Sequence, residues 1–259
     1  MKAIPNLFLV LSLAAAAFGP AQAAGQKPVI VLVHGAFADA GSWNGVAARL
    51  RKDGYTVIGA ANPLRGVKAD ADSVATVVQG VRGPVVLVGH SYGGAVISAA
   101  ANGHPNVRSL VYVAAFAPDE GETALALTGR FPGSTLGGAL AAPVPLPGGG
   151  KDLYIDQAKF HVQFAADLPR GQAELMAVGQ RPVAEAALTE AAGTPAWKML
   201  PSWFVYGTAD RNIPPAALRF MAERAKSRKT VEIAGASHVV MTSHPDAVAA
   251  LIEDAAQAK

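Results

Sequence analysis

The chain has 259 residues, 51% of them apolar and only 16% charged, with a formal charge of +3 and no cysteine. That length suits one large α/β domain or two small ones, and the apolar content allows a sizeable core. The small, scattered basic excess argues against a nucleic-acid partner. The lack of thiols removes disulfides, thiolate nucleophiles and thiolate metal sites.

In chain order, Lys2 precedes an apolar stretch at residues 7–18, then Gly19-Pro20 and Ala21-Gln22-Ala23. A basic start, a short apolar centre and a small-x-small end predict a secretory signal peptide, residues 1–23, cut after Ala23. The apolar run is short of the roughly 20 residues that a membrane span needs. The expected product is periplasmic or secreted, with no stable membrane insertion.

Residues 28–33 (PVIVLV) read as a strand buried on both faces, ending at His34-Gly35. Helical spacing follows at 42–52, a strand at 55–60 and a helix at 72–81. A third strand at 85–88, a small-residue helix at 92–101 and a fourth strand at 109–116 continue the alternation. This rhythm predicts a mostly parallel sheet with helices on both faces. It breaks at 129–150, which is rich in glycine, proline and alanine and shows no period, and two helical patterns follow at 152–166 and 169–178. Strands at 202–206 and 230–233 and helices at 215–225 and 245–256 resume it, the last opened by a Ser243-x-x-Asp246 variant of the capping box. Residues 24–116 and 199–259 therefore form the two parts of an α/β core. Residues 117–198 form a small, mainly helical cap over the sheet's C-terminal edge, where such folds bind ligands.

Within Val85 to Gly94 (VVLVGHSYGG), strand gives way directly to helix at Ser91. Such a bend strains the apex residue and crowds its neighbours, so Gly89 and Gly93 remove Cβ atoms that would clash. Ser91 is thereby lifted to the tip, above a helix N-terminus that favours negative charge. A serine hydroxyl is a weak nucleophile until a base takes its proton. Of the six histidines, His34 shapes its loop, His90 points away from the bend, and His104 and His244 precede prolines near helix ends. His161, in the inserted stretch, is read as a packed helix residue, with a place in the pocket lining as the alternative. His238 follows the last strand, on the sheet edge that carries Ser91, and is the candidate base. Its carboxylate partner is Asp210, in the loop after residues 202–206, which gives the chain order Ser, Asp, His. Asp119, beside Glu120 where the cap begins, is the alternative. The backbone N–H groups of Tyr92 and Ala36 are the candidate donors to an oxyanion.

The stretches LVHGAFADAGSW, VGHSYGG, YGTADRNIP and GASHVVMTSHPDAV resemble the α/β-hydrolase superfamily. More narrowly, they are similar to its small esterase and hydroxynitrile-lyase-like group, which includes plant methyl-ester esterases and bacterial relatives. The resemblance implies an α/β-hydrolase fold, a Ser91–His238–Asp210 triad and neither cofactor nor metal. The implied reaction is hydrolysis of small to medium hydrophobic carboxylic esters through an acyl-enzyme, with the small-molecule ester as partner. A lyase of this group would carry lysine directly after the histidine, where this chain has Val239. A dehalogenase would carry a carboxylate at position 91. A non-catalytic ligand sensor with the same triad is the remaining alternative.

Overall fold

The computed structural model describes residues 27–258; the expected signal peptide lies outside them. β1 (Val29–Val33), β2 (Val57–Ala60), β3 (Val85–His90) and β4 (Val107–Val113) begin the core. Their valine, isoleucine and leucine runs are stiff at χ1 or purely apolar, which suits a pleated surface covered on both faces. β3 is buried along its whole length. The inserted segment carries β5 (Val144–Pro145), β6 (Lys151–Leu153) and β7 (Val183–Ala184), and the core resumes with β8 (Ser202–Gly207) and β9 (Lys229–Ile233).

The central sheet has six strands in the order β2-β1-β3-β4-β8-β9, every neighbouring pair parallel. Helices Val67–Gln79 and Gly93–Ala100 pack together against it, and Asn44–Lys52 and Pro245–Gln257 form a second layer. The chain leaves β1 toward β2 on one side and reaches β3 on the other. Such a reversal opens a crevice beyond the strands' C-terminal ends. The loop after β1 and the turn after β3 meet there.

Between β4 and β8 lie the short helices Ala124–Gly129, Leu136–Ala139, Gln157–Phe164, Arg170–Gly179 and Glu185–Thr189, with β5, β6 and β7 in a three-stranded antiparallel sheet. The single helix expected at 152–166 is in fact β6 followed by Gln157–Phe164. Asp156 starts that helix, its carboxylate accepting from Ala158 N at 2.9 Å. The aperiodic stretch 129–150 holds one short helix and β5. The helix expected from residue 72 begins at Val67, after Gly66. The Ser243/Asp246 capping box does not form. Ser243 Oγ lies 2.9 Å from His244 Nδ1, and Asp246 turns across to Arg49, which donates from Nη2 at 3.1 Å. A tertiary ion pair replaced the local cap. Among the described residues, no helix is long and apolar enough to cross a membrane.

Candidate active site

Ser91 follows β3 with φ +53, the left-handed region that a non-glycine residue occupies only under constraint. The bend is pinned by Ser91 N donating to Val113 O at 3.2 Å, while Ser91 O accepts from Gly94 N at 3.0 Å and Phe116 N at 3.1 Å. A Cβ on Gly89 would sit 2.5 Å from Gly93 O and 2.8 Å from Gly94 N, so the crowding across the bend is real. Gly93 is needed for a different reason. Its Cβ would meet Val33 O at 2.7 Å and His34 O at 2.9 Å, so this glycine lets the bend approach the end of β1.

Asp210 and His238 are buried and directly paired. His238 Nδ1–H donates to Asp210 Oδ2 at 2.6 Å. Asp210 Oδ1 accepts from Asn212 N at 2.8 Å and Ile213 N at 3.0 Å, so both carboxylate oxygens are engaged as a carboxylate's would be. With its proton held on Nδ1, the ring presents Nε2 as an acceptor. Asp119 is elsewhere: its Oδ1 pairs with Lys198 at 2.5 Å, and that contact holds its carboxyl below the usual range. The histidine's partner is therefore Asp210.

Ser91 and His238 both border one cavity of about 310 Å³, walled chiefly by apolar residues such as Leu125, Leu136, Leu140 and Leu188 of the inserted segment. Among the described residues, neither the Ser91 hydroxyl nor His238 Nε2 has a hydrogen-bond partner. Proton-transfer contacts of this kind often tighten only when substrate binds. Ala36 and Tyr92 border the same cavity, and their buried main-chain N–H groups donate to no described acceptor. The next N–H, that of Phe37, is taken by Arg181 O at 3.0 Å. Among the described residues, no cluster of three His, Asp or Glu side chains could hold a metal ion.

The sequence did not reveal what braces these groups. His90 was expected to point away, yet its Nε2–H donates to His238 O at 3.1 Å and its ring lies 4.8 Å from the His238 ring. Below the bend, Tyr92 OH donates to Asp70 Oδ2 at 2.8 Å, and burial pushes both the phenol and the carboxyl up. Gln163 of helix Gln157–Phe164 donates to Arg211 O at 2.9 Å and to Asn212 Oδ1 at 3.0 Å, clamping the Asp210 loop. Ser237 donates to Asp167, which ties the His238 loop to the inserted segment. Only His90, by adjacency to Ser91, carried a sequence signal.

His34 and His90 are buried neutral rings. His34 donates from Nδ1 to Gly35 O at 3.0 Å and accepts from Asn62 N at 3.2 Å; His90 Nδ1 is buried with no partner among the described residues. Burial pulls both below the ordinary histidine value of 6.5, His90 the further, with the neighbouring His238 adding to the effect there. On acidification the unfolded chain takes up protons that the folded chain refuses. Stability should thus be whole above about pH 6.5 and fall below it, by up to about 1.4 kcal/mol per pH unit for each ring. Melting temperatures recorded from pH 7.5 to 5 test this; a flat series would show that both rings accept protons in the fold.

A parallel sheet with a strained serine turn, a buried His–Asp pair on later loops and a helical segment between strands is an α/β-hydrolase architecture. Residues 30–251 match the alpha/beta hydrolase family, and the chain belongs to it. Over 110 residues it is 38% identical to the carbendazim hydrolyzing esterase of Nocardioides sp. (strain SG-4G). That match spans 38% of this chain and 46%, less than half, of that protein. Polyneuridine aldehyde esterase superposes with a TM-score of 0.77 at 19% identity, covering 88% of this chain and 99% of that one. A pyrethroid hydrolase from Sphingobium faniae JZ-2 gives 0.70 at 23% identity, covering 89% and 98%. These two likenesses are of fold.

Proposed function

We propose that this chain is a serine esterase that cleaves uncharged, hydrophobic carboxylic esters through an acyl-enzyme. The carrying observation is the His238 tautomer, locked by Asp210 with Nε2 left as acceptor in the cavity that Ser91 also borders. In this reading Ser91 Oγ attacks the ester carbonyl carbon as its proton passes to His238 Nε2. The oxyanion accepts from the N–H groups of Ala36 and Tyr92. Collapse breaks the bond to the alcohol oxygen, which leaves with the proton from His238. Water then repeats the cycle on the acyl group and frees Ser91.

The wall supports the substrate class. Among the described residues, Glu185 is the only acidic one in the wall and no lysine or arginine borders the cavity, so anions are disfavoured. Esterase and hydrolase activities named for the similar proteins agree with ester cleavage. Val239, which stands where a lyase of this group would carry lysine, is fully buried, and nothing favours that alternative.

A fluorophosphonate probe tests the reading without knowledge of the natural ester. Incubation should give one covalent adduct, mapped to Ser91 by peptide mass spectrometry, with parallel loss of p-nitrophenyl butanoate turnover. A ligand sensor would show neither adduct nor turnover, and labelling at another serine would move the nucleophile.

A further inference from the structure

The cavity shared by Ser91 and His238 has a neighbour. A second cavity of about 270 Å³ is lined by Ser42, Gln172, Leu175, Met176 and Thr242 among others, none of which borders the first. Among the described residues, Phe37 is the one that borders both. It is 4% exposed, and its ring lies edge-on to Phe164, centroids 6.2 Å apart, while Phe164 in turn packs against the His238 ring at 5.1 Å. Its backbone is held at φ +60, a genuine outlier for a bulky residue, by the bond from its N–H to Arg181 O. Strain of this kind persists only where the surroundings over-determine it. Here that strain holds an aromatic ring between two spaces, one step from the candidate oxyanion donor Ala36.

From this placement we infer that Phe37 is a specificity-determining partition: it closes the reaction cavity at its own volume and limits the length of ester that fits. The inference rests on the esterase reading. The wall of the second cavity mixes apolar residues (Leu175, Met176) with the Gln172 amide, the Asp39 carboxylate, which disfavours an anion, and hydroxyls already bonded at home, Ser42 to Asp39 O and Thr242 to Ser42 O. Its occupant, once the partition is shortened, is the uncharged tail of a longer linear acyl chain.

The experiment compares kcat/KM for p-nitrophenyl octanoate and p-nitrophenyl acetate in the wild type, Phe37→Ala and Phe37→Leu. The octanoate-to-acetate ratio should rise at least tenfold in Phe37→Ala and by less in Phe37→Leu. Adding Met176→Trp to Phe37→Ala, which refills the second cavity from another part of its wall, should take the gain back. If both rates fall together and the ratio stays put, Phe37 only supports the loop and the partition is refuted. Should Phe37→Ala fail to fold, the milder Phe37→Leu decides by the same ratio. A wild type that turns over neither ester sinks the esterase reading instead, so the two failures are distinct.

Discussion

Replacing Ser91 by alanine should lower kcat on p-nitrophenyl esters by roughly 10⁴–10⁶-fold, because in the proposed mechanism Ser91 carries the acyl group. Whatever rate enhancement over water survives comes from binding and from the N–H groups of Ala36 and Tyr92, which the substitution leaves in place. Ser91→Gly separates catalysis from backbone strain. Ser91 sits at φ +53, where a Cβ costs roughly 1–2 kcal/mol; glycine removes that strain and adds back about 0.5–1 kcal/mol of unfolded-chain freedom. The glycine variant should therefore be as inactive as the alanine variant yet no less stable than the wild type in urea melts. A residual rate within tenfold of the wild type in either variant would mean that another nucleophile does the work. A clear loss of stability in Ser91→Gly would mean that the hydroxyl, and not the bend, holds the turn.

The parts of the molecule legible in the sequence are those governed by local rules. β1, β3 and β8 announce themselves as short apolar runs, and the Gly89-x-Ser91-x-Gly93 bend follows from the sterics of turning a strand into a helix. Asp210 and His238 could be placed because each falls just after a strand of a sheet whose direction the alternation had set. What was not legible depends on partners far along the chain. Asp246 looked like a cap, but it pairs instead with Arg49, far away in the chain. Asp152 and Leu153 looked helical, but Leu153 pairs with Val183 and Asp152 with Arg65. Gly93 seemed to relieve the bend alone, whereas its main neighbour is the end of β1. The brace formed by His90, Gln163 and Asp167 was hidden for the same reason, since each acts on a loop that the sequence places remotely.

The loop around Asp210 also determines what its amide would do. Asp210→Asn should lower kcat by about 10⁴-fold with little loss of stability, the loss expected when a triad histidine takes the wrong tautomer. Two main-chain donors, Asn212 N and Ile213 N, converge on Oδ1. An amide must keep its oxygen there, because turning its NH₂ toward two N–H groups would leave four hydrogens facing one another with no acceptor. The NH₂ is then forced toward His238 Nδ1, which must accept, and the ring proton moves to Nε2. The nitrogen that was to take the Ser91 proton now carries one. Imidazole ¹⁵N shifts should report this exchange of tautomers directly, and Asp119→Asn should change the rate by less than about twofold because its carboxylate faces Lys198. If Asp210→Asn keeps more than a tenth of the wild-type kcat, or if His238 still holds its proton on Nδ1, the carboxylate is not what prepares the base. Proton transfer from Ser91 would then need a different organiser on the same loop cluster.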